Sequence, residues 1–238
     1  MCSYGEKVLT LSDSLRGFDS SIPICSEISL VKLFDNWSSE RSLMPYQELV
    51  REWAVSYLNA PHSDLGREGA VCPFTAASIS KEMFWVGCMD RSDLNADDIE
   101  RTVADAVAEF RRLPSAEGPD AILKTILVLF PRITDYSVID EAQRRLKEES
   151  VASGLMIGQF YPGCDEPGIR NPEFRPLRSP VPLLAIRHMV GSDLPFLTTR
   201  VEWVEEYLKR FAPSIPSHVR NMIAAKFCAD KLKQPYEQ

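Results

Sequence analysis

Apolar residues in this chain keep to two rhythms. Leu49, Val50, Trp53 and Tyr57 recur at helical spacing behind Ser42 in N-cap position and Pro45 in the first turn, and Pro61 ends that predicted helix. Ile99, Val103, Val107 and Phe110 form a second inward stripe, opened by Asn95 or Asp97 and closed by Pro114 and Gly118. Asp97, Asp98 and Glu100 sit at its positive end and Arg111 and Arg112 at its negative end, as the dipole favours. Ile139, Ala142 and Leu146 mark a third helix over 138–151, with Arg144, Arg145, Lys147 and Glu148 on its outer face and Gly154 as its stop. Thr199 and Glu202 have the spacing of a capping box, predicting a helix with Val201, Val204, Leu208 and Phe211 inward. Ser217 starts a last helix through Lys231, and Cys72-Pro73 opens a short one over 74–81. The other rhythm is the short unbroken apolar run, at 84–88, 122–130, 155–161 and 181–190, which predicts buried strands.

Strands alternating with helices imply an α+β fold, a mixed four-stranded sheet layered with helices, for which the ferredoxin-like split βαβ is the candidate arrangement. Residues 1–40 read as an N-terminal arm, and 41–238 as a single α+β domain. The segment 162–180 is rich in Pro, Gly and Arg; a loop of that length inside a domain is functional or disordered.

Charge narrows the function. A formal net charge of -7 argues against general nucleic-acid binding, which needs a basic face. No apolar run reaches the roughly 18 residues that span a bilayer, and the polar N-terminus shows no secretory signal, so a cytoplasmic location is expected. The six cysteines should then be reduced thiols, and their spacing fits no structural zinc site. A small molecule is the expected partner, a homodimer is left open, and neither nucleic acid nor a membrane is expected.

Two of the three histidines and one cysteine carry the candidate chemistry. Cys72 precedes a proline suited to the first helical position, so it would cap that helix, where the dipole favours a thiolate able to ligate iron or attack an electrophile. It equally suits a small buried residue. His188 closes the apolar run after Leu183-Leu-Ala-Ile186, as a metal or haem ligand or as a core histidine bonded to a carbonyl. His62, beside Pro61, either caps the preceding helix or acts as a ligand, and His218 reads as surface. Arg67, Arg170, Arg175, Arg178 and Arg187 could grip an anion through their forks, or pair with the surplus acids. Gly-x-x-x-x-Gly-Lys-Ser/Thr, Gly-x-Gly-x-x-Gly, Gly-x-Ser-x-Gly and His-Glu-x-x-His are all absent, which removes the usual nucleotide, serine-hydrolase and zinc-protease readings.

The stretches Leu65-Gly-Arg-Glu-Gly-Ala-Val-Cys-Pro-Phe74, Gly154-Leu-Met-Ile-Gly-Gln-Phe160 and Pro180-Val-Pro-Leu-Leu-Ala-Ile-Arg-His-Met-Val190 resemble an uncharacterised bacterial domain family over roughly residues 45–212. The Cys-Pro-Phe opening, the strand ending in Phe130-Pro131, the helix over 138–151 and the Arg/Pro-rich segment also resemble the YqcI/YcgG-type haem-dependent N-oxygenases. That resemblance implies haem and an oxygenase hydroxylating a nitrogen of a small amino-acid-like substrate. His188 would be the axial metal ligand, with Cys72 or His62 as alternatives. Arg67, Arg170, Arg175 and Arg187 would complete the cofactor site, and Phe74, Trp85 and Phe160 would wall the pocket. Two alternatives stand beside it. One is a cofactor-free cysteine enzyme with Cys72 as nucleophile and His188 as base. The other is a non-catalytic module that binds an anionic small molecule.

Overall fold

Each apolar run read as a strand forms one, and a fifth strand joins them from the segment read as an N-terminal arm. The computed structural model describes residues 28–34 and 44–218, with 220, 221, 223 and 225 beyond them. Ser42 and Lys231, named above as helix boundaries, lie outside the described residues.

The elements are β1 (Val31–Lys32), α1 (Met44–Trp53), α2 (Thr75–Ser80), β2 (Phe84–Cys88), α3 (Ala96–Arg112), β3 (Thr125–Leu129), α4 (Ser137–Ala152), β4 (Leu155–Phe160), β5 (Leu183–His188) and α5 (Val201–Phe211). The sheet order is β1-β2-β3-β5-β4. β2 and β3 are parallel neighbours across the α3 crossover. β3 and β4 are joined through α4 but leave a gap one strand wide, which β5 fills antiparallel to both. This is the split βαβ unit; β1, antiparallel to β2, adds the fifth strand that the four-strand expectation lacked.

Successive side chains along a strand face opposite ways, and here both faces are covered. Trp85, Ile126, Val128, Leu155, Ile157, Leu184 and Ile186 pack under α3 and α4 against Ile99, Val103, Phe110, Ile139 and Ala142. Phe84, Val86, Cys88, Leu127, Leu129 and Leu183 face the other way, onto Val50, Trp53, Ala54 and Leu58. These last two belong to a π-helical turn, Ala54–Leu58, that extends α1. Burial on both faces is why the strands read as unbroken apolar runs. A third cluster, Val151, Met156, Met189, Leu197, Tyr207 and Ile215, fixes α5 at one end of the sheet.

Local signals explain most boundaries. Asn95 accepts from the Asp98 backbone N–H at 2.9 Å, and the Asp98 carboxylate accepts from the Asn95 N–H at 3.2 Å, completing a capping box on α3. The box expected at Thr199 does not form: Arg200 is the N-cap, without a side-chain bond, and Val201 is 48% exposed in the overhanging first turn. β3 begins at Thr125 rather than 122, because Gly118–Leu123 winds into a 3₁₀ turn ahead of it. At the outer strand, the Ile157 carbonyl accepts from the Gln143 side chain on α4 at 3.1 Å.

The segment 162–180 is held against the rest of the chain. Trp53 Nε1 donates to the Arg178 carbonyl at 3.0 Å, Tyr57 Oη to the Arg175 carbonyl at 3.3 Å, and Asn171 to the Asp64 carbonyl at 2.8 Å. Among the described residues, no helix is long and apolar enough to cross a membrane.

Candidate functional site

The antiparallel register sets Leu155, the first residue of β4, opposite His188, the last of β5. An open cleft of about 420 Å³ lies at this end of the sheet. Ala121 and Ile122 of the 3₁₀ turn, Gly154 after α4, His188 and Met189, and Arg210 and Phe211 at the end of α5 line it.

Gly154 is required twice over. Its φ of +74° belongs to the left-handed region, which suits the turn that stops α4. A Cβ at this position would also lie 2.6 Å from Nη1 and 2.8 Å from Nη2 of Arg210, so the guanidinium lies directly over the bare Cα. Arg210 Nη2 donates to the Ala152 carbonyl at 3.0 Å, one of the last carbonyls of α4.

His188 follows the parity of Leu184 and Ile186 and turns toward α3, where its ring meets Phe110 edge-on with centroids 4.9 Å apart. Burial, and then the charges of Lys124 and Arg210, hold the His188 pKa below the ordinary imidazole value. The ring is therefore neutral at neutral pH, with one nitrogen to donate and one to accept. Behind it Lys124 is only 3% exposed. Its Nζ donates to the Leu113 carbonyl at 2.9 Å and lies 4.8 Å above the Phe110 ring, and burial pushes its pKa down. Arg111 reaches Ser153 beside the cleft at 3.4 Å. Among the described residues no carboxylate forms a salt bridge with Lys124, Arg210 or His188; the nearby Glu206 is paired with Lys209 at 2.6 Å.

The other residues expected at the site gather elsewhere. Trp53 packs edge-on against Phe160, with centroids 5.5 Å apart, at the far end of β4. That is about 17 Å from Leu155 at the usual rise per residue. His62 lies in this region, with its ring 4.6 Å from Phe174, and its Nδ1 accepts from the Asp64 N–H at 3.1 Å. It caps the 3₁₀ turn that follows, not the helix before. Cys72 packs on the α1 side of the sheet, and its N–H donates to the Leu58 carbonyl at 2.8 Å. α2 starts only at Thr75 with Phe74 as N-cap, so Cys72 does not cap it as expected.

Three of the loop arginines here serve the backbone. Arg67 donates to the Glu68 and Val71 carbonyls at 3.0 and 2.9 Å. Arg175 pairs with Asp165 at 2.7 Å and donates to the Pro172 carbonyl, and Arg178 donates to the Cys164 carbonyl at 3.2 Å. Arg170 is exposed and crosses close over Gly66. Arg187 points to the face opposite the His188 ring; it donates to the His188 carbonyl at 2.9 Å and grips the buried Asp193 with two bonds, at 2.6 and 2.7 Å.

Cys72 and His188 thus lie on opposite faces of the sheet, and the structure does not bring them together. The residues expected to hold haem do not converge either. His188 lines the cleft, while Cys72 packs on the other face, His62, Arg67, Arg170 and Arg175 lie in the loops 62–71 and 162–180, and Arg187 is engaged by Asp193. Trp85 and Phe160 face opposite sides of the sheet, so with Phe74 they do not wall one pocket. Among the described residues no group of three or more His, Cys, Asp or Glu is placed to hold a metal ion. Arg210, Gly154 and Lys124 escaped sequence reasoning as site residues. Gly154 read only as a helix stop, and Arg210 and Lys124 meet His188 only through the strand order.

Fold and cleft together define an α+β domain on a split βαβ sheet, with a positively charged cleft at one sheet end. The chain belongs to the DUF6875 family, a domain of unknown function, which matches residues 47–222. That span includes all three stretches that carried the family resemblance. No curated protein and no solved structure matches the chain.

Proposed function

We propose that this domain binds a small molecule through an anionic group in the cleft at the end of β5, with Arg210 and His188 as its polar anchors. The observation that supports this is the convergence of Arg210 and the neutral His188 on a concave surface, with the buried Lys124 behind the His188 ring and no carboxylate bridging to any of the three among the described residues. Clefts of a few hundred Å³, mostly apolar with a few convergent polar groups, are the usual form of a small-molecule site.

Each group has a role. Arg210 is held flat by Gly154 and the Ala152 carbonyl, so its fork is oriented before any ligand arrives, and less freedom is lost on binding. His188 donates a hydrogen bond from its neutral ring and becomes easier to protonate once an anion sits beside it. Lys124 acts through its field from behind Phe110, in a low-dielectric setting where that field is weakly screened. Both cations also meet helix-end carbonyls, so part of their charge offsets the helix dipoles. This reading needs neither haem nor a reactive thiol.

The test is an NMR titration of the full-length chain, following the His188 imidazole signals against acetate, benzoate and inorganic phosphate. A saturable shift with at least one anion, lost in Arg210→Gln, is the expected result. Unchanged His188 signals with all three anions at millimolar concentration would overturn the proposal.

A further inference from the structure

We infer that the ligand of this cleft is a monoanionic carboxylate with an apolar body, of the aryl or short-chain alkyl class, rather than a phosphate or a polyanion. This rests on the preceding reading that the cleft takes an anion.

The first argument is the kind of positive charge on offer. Phosphate sites use backbone N–H groups at helix N-termini. The helix ends at this cleft are C-terminal: α4 arrives through Ala152 and Gly154, and α5 through Arg210 and Phe211. Their carbonyls carry partial negative charge and disfavour a dianion. Arg210 is the fully charged side chain lining the cleft, since Lys124 is directed at the Leu113 carbonyl and the Phe110 ring. The guanidinium spends one N–H on Ala152 and keeps one complete two-donor edge, the geometry that matches a single carboxylate.

The second argument is the apolar remainder. Ala121, Ile122, Met189 and Phe211 supply the rest of the wall, and Ile122 holds 39% of its surface in solvent. Covering such side chains is favourable, and only a ligand with an apolar body can do it. A volume of about 420 Å³ accommodates a ring or a short chain beside the carboxylate, near the small end of ligand sites at about 300–1,000 Å³.

The experiment compares benzoate, hexanoate, acetate, benzamide and inorganic phosphate by calorimetry on the full-length chain at constant ionic strength. His188 shifts report the site occupied. Benzoate and hexanoate should bind about tenfold or more tighter than acetate and phosphate, and benzamide should lose most of the benzoate affinity. Ile122→Ser, a change at a partly exposed position, should weaken benzoate and leave acetate unchanged. Phosphate or acetate binding as tightly as benzoate would overturn the inference and leave the anion-binding proposal standing. Absence of binding by every anion would overturn both.

Discussion

Arg187→Leu separates a structural arginine from a ligand-binding one. Asp193 is 2% exposed, and its carboxylate accepts two bonds from Arg187 and a third from the Val190 N–H at 2.8 Å. Leucine leaves that carboxylate buried with the Val190 donor but without its counter-charge. Breaking a buried pair from one side costs about 3–5 kcal/mol. The Arg187 side chain is 29% exposed, so water screens part of the attraction and the expected loss is near the lower end, about 3 kcal/mol. With an m-value of about 3 kcal/mol per M, the urea midpoint should fall by about 1 M. Arg187→Leu combined with Asp193→Leu should recover much of this, because the orphaned charge goes with its partner. Arg187 does not line the cleft, so the benzoate affinity of the folded variant should fall by less than in Arg210→Gln, although the Arg187 bond to the His188 carbonyl is lost. A midpoint shift below about 0.2 M would refute the account of the pair.

Two further outcomes follow from the same geometry. Gly154→Ala should destabilise the fold by about 1–2 kcal/mol through its positive φ alone, and the added methyl should push the guanidinium of Arg210 aside. Denaturant unfolding reads the first effect and lost benzoate binding the second, so unchanged affinity would show that the guanidinium is not positioned by that contact. The second outcome concerns pH. Because burial and the charges of Lys124 and Arg210 depress the His188 pKa, the unfolded chain takes up this proton before the folded one does. The His188 contribution to stability is therefore intact above the ordinary value of about 6.5 and is lost as pH falls from there through the lower folded value. Urea midpoints at about pH 7 and about pH 5.5 should fall further in the parent than in His188→Gln, and equal drops would contradict the assignment.

Local chemistry written in the chain fixed what could be read from it. The capping box at Asn95, the stop at Gly154 and the doubly buried runs over β2 to β5 depend on neighbours a few positions away, and each was legible. β1 was not, because a two-residue edge strand carries no period to detect. Thr199 had the spacing of a box, yet the helix took its start one residue later. The candidate site was legible only in its histidine. His188 stood out as a rare residue at a strand end, but its companions are set by β5 slipping between β3 and β4, which no local pattern encodes. Arg187 has its ion-pair partner close in sequence: Asp193 follows six positions on, and that proximity was the clue to the pairing. The loop arginines share this ambiguity, since arginines that brace an irregular backbone look the same in sequence as arginines that await an anion.

The side-chain amide of Gln143 has a consequence for assembly. By filling the outward carbonyl of Ile157, it takes one rung from the ladder that β4 would otherwise present to a passing chain. Tyr161, bridged to Arg178, closes the next stretch of the same border. A second copy would find fewer free backbone groups for extending the sheet on this side.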